Sequence, residues 1–154
     1  ERYDDLCKVH DEYFLITNLE PLRDMRIQGQ IKSMCESGII GMTIIDEVHK
    51  AKHPTSAQGK AIHCCCSYYR LALTGTPLMN NAVDLYNVLK WLQVDNGSFT
   101  TFKNRYCIMG GFGGYQIVVY KNLGELESKL QNNMLRRRKQ DVLDLPPKIY
   151  TNEI

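Results

Sequence analysis

Hydrophobic and polar positions alternate between two periods along the first ninety or so residues of the chain. Tyr13-Phe14-Leu15-Ile16-Thr17 is a short apolar run closed by a polar residue and followed by Asn18 and Pro21. It predicts a buried strand that stops where a loop begins. Ile27, Ile31, Met34 and Cys35 then fall at i, i+4, i+7 and i+8, which predicts an amphipathic helix over Asp24 to Glu36, with Gly38 and Gly41 ending it. Met42-Thr43-Ile44-Ile45 reads as a second strand, apolar on both faces as in a parallel sheet covered by helices. Thr55-x-x-Gln58 has the form of a capping box that opens a helix toward about Cys65, weakened by Gly59. Leu71-Ala72-Leu73-Thr74 is a third strand, closed by Gly75-Thr76-Pro77. Leu85, Val88, Leu89 and Leu92 stripe a helix from about Asn81 to Trp91.

Strand and helix thus alternate three times. That order predicts an α/β fold, a three-layer parallel sheet with flanking helices, over residues 1–97. After Asp95 the texture changes. Ser98 to Cys107 is rich in Phe and Tyr, Gly110 to Gly114 is a flexible turn, Gln116 to Tyr120 fits a hairpin arm, and Asn122 to Met134 fits a helix with Leu123, Leu126 and Leu130 on one face. Residues 98–134 therefore read as a small, mostly helical projecting subdomain, with Phe99, Phe102, Tyr106 and Phe112 as its small core. Residues 135–154 form a tail that begins with the basic run Arg136 to Lys139.

Composition sharpens this picture only in places. The chain has 154 residues, 44% hydrophobic, with a formal charge of +2. That is enough apolar material for one folded core, so disorder is excluded as a class. No apolar run approaches the roughly 18 residues needed to cross a bilayer. The balanced charge argues neither for nor against nucleic acid. Six cysteines, three of them consecutive at Cys64 to Cys66, lack the paired C-x-x-C spacing of a zinc site. Reduced, mostly buried thiols are the expectation.

The chemistry concentrates at two strand ends. Ile44-Ile45-Asp46-Glu47-Val48-His49 places two carboxylates and a histidine where a buried strand finishes, the end at which open α/β sheets bind ligands. Adjacent carboxylates repel unless a cation or solvent offsets them. A magnesium nucleotide would do so, with Asp46 holding Mg2+ through water and Glu47 polarising the water that attacks the terminal phosphate. A solvated acidic turn is the competing reading. Leu73-Thr74-Gly75-Thr76-Pro77-Leu78-Met79-Asn80 follows the third strand, 28 residues after Asp46, and puts Thr74 and Thr76 within reach of His49 on the adjacent strand end. An ordinary strand-to-helix turn with Thr and Asn caps is the alternative there.

Together these residues resemble a family. Asp46-Glu47-Val48-His49, Lys52, the Leu73 to Asn80 run, the tail Leu135-Arg136-Arg137-Arg138-Lys139-Gln140-Asp141-Val142 and Leu145-Pro146-Pro147-Lys148 are similar to the Swi/Snf-type helicase-like ATPases of superfamily 2, of the DEAH-like kind. Ile16-Thr17-Asn18-Leu19-Glu20-Pro21-Leu22-Arg23 is similar to that family's DNA-side segment, and the likeness runs over about residues 13 to 150, in family order. It implies part of a RecA-like first lobe, with the 135–154 segment returning to that lobe. It also implies ATP and Mg2+ as cofactors, translocation on, or remodelling of, duplex DNA complexes, and an intracellular location, cytoplasmic (nucleoid-associated) or nuclear. The site residues it implies are Asp46, Glu47 and His49 for catalysis, Thr74, Gly75 and Thr76 for coupling, and Thr17, Arg23 and Lys52 for nucleic acid. Val48, His53 and Met79 depart from the family pattern without removing a charge from this chemistry.

A phosphate-cradling G-x-x-x-x-G-K-[ST] loop is not found. Gly59-Lys60 has Pro54 and Ala61 at the flanking positions, and Gly111-Phe112-Gly113-Gly114 reads as a flexible turn. The resemblance therefore implies a phosphate loop upstream and a second lobe downstream, so the isolated chain is expected to bind ATP weakly and not to turn it over. A helicase subunit of a restriction system and a non-catalytic nucleic-acid or protein interaction module stand as the other readings.

Overall fold

Residues 2–8, 11–75 and 81–137 are described by a computed structural model. The α-helices are α1 (Arg2–Leu6), α2 (Met25–Glu36), α3 (Ala57–Ala61), α4 (Tyr86–Trp91), α5 (Phe99–Tyr106) and α6 (Leu123–Asn133). The strands are β1 (Met42–Ile45), β2 (Tyr69–Ala72), β3 (Cys107–Gly110) and β4 (Gln116–Tyr120). The fold is mixed α/β. β1 and β2 pair in parallel, with Ile44 opposite Leu71 and Ile45 opposite Ala72.

Helix α2 forms where its stripe requires. Ile27, Ile31, Met34 and Cys35 are its buried residues, and the Asp24 side chain accepts from Arg26 N–H at its start. The hydrogen-bonded Arg26 side chain also holds the Asp24 carboxyl below the usual carboxylate range. Gly38, at φ 81°, lets the chain turn out of the helix, and Ile40 N–H returns to Met34 O at 3.0 Å, a C-terminal closure that favours glycine. Ile27, Ile31, Ile45, Val48, Ile62 and Trp91 share one core.

Three expectations change. Tyr13 to Thr17 does not form a strand: it is irregular, with Tyr13, Phe14 and Ile16 exposed. Among the described residues the parallel sheet therefore has two strands, not three. Its outer face is not covered either: Met42, Ile44, Tyr69 and Leu71 are all exposed. A run of four apolar residues identifies a strand without saying how many layers lie against it. The helix after Pro54 is capped by Ser56, whose hydroxyl accepts from Gly59 N–H, and not by Thr55. It gives way at Ile62 to a 3-10 turn ending at Cys64. Gly59 is required by packing: a Cβ there would lie 1.9 Å from His53 O.

The expected helix before Trp91 is present as a 3-10 turn, Ala82–Leu85, running into α4. Ser98 caps α5 by accepting from Thr101 N–H, and the hairpin arm at Gln116 to Tyr120 pairs antiparallel with β3. Phe102 and Tyr106 are buried, but Phe112 is fully exposed: it lies in the glycine turn between the strands, beyond the reach of α5. The chain divides into two units, 1–123 and 124–154. Phe99 and Phe102 stack on Tyr86, at 5.1 and 5.3 Å between ring centroids, and Tyr86 and Lys90 both bond to Gly97 O. Helix α6 is amphipathic, with Leu126 buried.

Candidate functional site

The site is built at the carboxyl ends of the two parallel strands. Leu73 N–H donates to Ile45 O at 2.8 Å and Val48 N–H to Leu73 O at 3.1 Å, so the ladder continues past β2 and brings the acidic turn beside the start of the threonine turn. Asp46 is exposed, and its Oδ1 accepts from Glu47 N–H at 2.8 Å. That bond accompanies a left-handed backbone at Glu47, φ 49° and ψ 43°. A non-glycine residue in this region is uncommon and costs about 1–3 kcal/mol. It is held here because the next residue, Val48, is 2% exposed and anchors the following 3-10 turn, Val48–Ala51, in the core.

The turn brings two side chains to one nitrogen of a third. His49 Nδ1 lies 3.1 Å from Glu47 Oε2 and 3.1 Å from Thr74 Oγ1. The imidazole is largely sheltered (22% exposed), whereas Glu47 is half exposed. One ring nitrogen thus ties the acidic turn to the residue before Gly75, across 25 residues of sequence. With a proton on Nδ1, His49 donates to Thr74 Oγ1, with the Glu47 carboxylate beside it at ion-pair distance; without it, Thr74 donates to the ring.

The exposed Asp46 carboxylate, with one oxygen occupied by a backbone N–H, fits Mg2+ bound through water and phosphate oxygens, which needs only one or two protein carboxylates. Among the described residues no group of three His, Cys, Asp or Glu side chains is spaced to enclose a metal ion.

The residues expected to face nucleic acid either face solvent or have other partners. Thr17 and Arg23 are exposed, and Thr17 Oγ1 donates to Asn18 O at 3.3 Å. Lys52, expected to face nucleic acid, is drawn inward: its Nζ is 2.8 Å from Asp84 Oδ2, and its side chain is only 16% exposed. A phosphate would have to compete with that buried carboxylate. Gly75 is exposed. Thr76, Met79 and the tail from Arg138 onward lie outside the described residues.

Two polar residues that sequence reasoning missed sit behind the site. Asp84 and Asn87 are buried, and Asn87 Nδ2 donates to Ala51 O at 2.6 Å and Gly59 O at 2.9 Å. A signal existed: residues 84, 87, 88 and 91 follow the i, i+3, i+4, i+7 rule, so two polar residues stand in register with buried Trp91. Arg70 was also missed; it donates to Trp91 O, Ser67 O and Cys66 O, which fastens β2 to the end of α4. The cysteine run lies in the core below: Cys64 and Cys65 are buried with sulfurs 3.8 Å apart. That contact lowers the Cys64 thiol pKa and, with burial, raises that of Cys65.

Comparison with known proteins adds context to this geometry. The family model described as SNF2-related domain matches residues 5–152. The chain is similar to the ISWI chromatin-remodeling complex ATPase ISW2 of Saccharomyces cerevisiae, 37% identical over 111 residues, covering 71% of this chain and 10% of the relative. It is similar to the DNA repair protein RAD5 of Mycosarcoma maydis, 34% identical over 115 residues, covering 68% and 8%. It is also similar to the CHD3-type chromatin-remodeling factor PICKLE of Arabidopsis thaliana, 32% identical over 137 residues, covering 87% and 9%. The chain spans a tenth or less of the length of each of these relatives.

Proposed function

The chain belongs to the SNF2-related domain family, and from that membership we propose that it is the later part of the first RecA-like lobe of a motor that couples ATP hydrolysis to translocation on, or remodelling of, duplex DNA complexes. The observation that carries this reading is the shared contact of His49 Nδ1 with Glu47 and Thr74. A nucleotide-hydrolysing centre needs its water-orienting carboxylate tied to an element that moves, and here one imidazole makes that tie.

In this reading Asp46 holds Mg2+ of MgATP through water, and Glu47 orients the attacking water. His49 and Thr74, with Gly75 and Thr76, pass the loss of the terminal phosphate to the rest of the lobe. Thr17 and Arg23 are exposed and suit contacts with the DNA backbone; Lys52 suits one only if it leaves Asp84. The phosphate loop and the second lobe would come from other parts of the protein, so the isolated chain would bind ATP weakly and not turn it over. The exposed outer face of β1 and β2 fits a third layer supplied by those parts, as in a three-layer lobe. Relatives named for chromatin remodelling support a nuclear location; the nucleoid alternative draws no support from them.

The test is Glu47→Gln in the full-length protein. ATP binding should be retained and DNA-stimulated hydrolysis should fall on the order of 10² to 10⁴-fold, because the amide cannot accept the water's proton. Unchanged turnover would remove Glu47 from this role.

A further inference from the structure

The helical stretch after the threonine turn reaches back to the segment that carries His49. Lys52 Nζ and Asp84 Oδ2 meet at 2.8 Å with the two side chains 16% and 8% exposed. One helical turn on, Asn87 spends both amide hydrogens on Ala51 O and Gly59 O and meets His63 Nε2 with its oxygen at 3.0 Å. The rear of the Val48–Ala51 turn is thus held by Asp84 and Asn87, and its front by Val48 N–H bonding to Leu73 O. Along the chain, His49 lies between these two fastenings.

An ion pair withdrawn from water this far adds little net stability, because desolvating both charges offsets most of their attraction. Its geometric effect is large by comparison. Asp84 and Asn87 approach the turn from elements 32 and 36 residues away along the chain; Asn87 holds the backbone of Ala51 and Asp84 holds the side chain of Lys52. Resting on the motor reading above, we propose that Asp84 and Asn87 are positioning residues of the ATPase. They hold Ala51 and Lys52 so that His49 stays between Glu47 and Thr74 while the threonine turn responds to nucleotide. Lys52 is their handle on the turn rather than a DNA contact.

The experiment measures DNA-stimulated ATP hydrolysis and thermal melting in the full-length protein. Asp84→Asn should lower kcat by ~10-fold or more with KM for ATP changed less than about twofold, since a catalytic geometry relaxed by a fraction of an ångström loses rate before binding. Reversing the pair, Lys52→Asp with Asp84→Lys, should recover part of kcat. Leu89→Ala is the control: Leu89 is buried on the same helix and makes none of these contacts, so it should lower the melting temperature while keeping kcat below the transition. Unchanged kcat in Asp84→Asn, or an equal loss of kcat in Leu89→Ala, overturns the proposal. If Asp84→Asn does not fold, Asp84→Glu keeps the charge but shifts it by one methylene; an unchanged kcat there overturns the proposal equally. A wild-type protein without DNA-stimulated hydrolysis would sink the motor reading and this one together, whereas an active wild type with indifferent variants would sink only this one.

Discussion

The two small sheets of residues 1–123 are both two-stranded and are held in opposite ways. β3 and β4 are joined by a short glycine turn, and most of their support is close in sequence: the rings of Phe102 and Tyr106 on α5, the helix that leads directly into β3, are 4.7 Å apart, with one longer tie from the Tyr120 hydroxyl to Asn81. β1 and β2 are parallel, so a crossover must separate them, and what holds their ends together is drawn from 24 to 36 residues away along the chain. A one-sided antiparallel pair is complete with one face covered, whereas a parallel pair normally has both faces buried. The exposed Ile44 beside the buried Ile45, 53% against 6%, is where that difference shows. The hairpin is assembled mostly by its sequence neighbours, while the chemistry sits on a parallel pair that depends on distant contacts.

The largest effect should come from removing the local support. Phe102→Ala deletes a buried ring that touches both Tyr86 and Tyr106 and should cost about 3–5 kcal/mol. In hydrogen-exchange mass spectrometry the β3 and β4 amides should lose protection before those of β1 and β2. Simultaneous loss in both sheets would erase the contrast between them.

Next is the comparison of two neighbours on one strand. Ile45→Ala opens a cavity in the core and should cost about 2–5 kcal/mol by denaturant unfolding, whereas Ile44→Ser at an exposed position should stay within roughly 0.5 kcal/mol. In the full-length protein a loss for Ile44→Ser that rivals Ile45→Ala would mean further chain covers this face, which sharpens the contrast.

The smallest effect concerns the crossover itself. Ser56→Ala should cost about 1 kcal/mol because its hydroxyl caps α3, and Thr55→Ala should cost much less. Equal losses would return the cap to Thr55, as the capping-box pattern suggested.

That last case shows where the sequence was legible and where it was not. Both Thr55 and Ser56 can cap a helix, and the choice between them depends on where the chain from His53 approaches Gly59. Helix α2, strand β1 and the helical stretch ending at Trp91 were readable because each has its own period. Tyr13 to Thr17 has the composition of a strand, but pairing needs a neighbouring edge, and the described residues provide none that it uses. Lys52 looked like a surface cation because charge is the default signal for solvent; the carboxylate that draws it inward lies 32 residues later.

The sequence by itself determined the alternation of strands and helices, the family, and the acidic and threonine motifs at successive strand ends. Local patterns of hydrophobicity and a few consecutive side chains carry that information within a dozen residues. Tertiary structure alone decided that Lys52 turns inward to Asp84, that Asn87 stands behind the turn, and that Glu47 adopts a left-handed backbone. Each of these depends on which distant groups meet once apolar surfaces are buried, and no local pattern encodes that meeting.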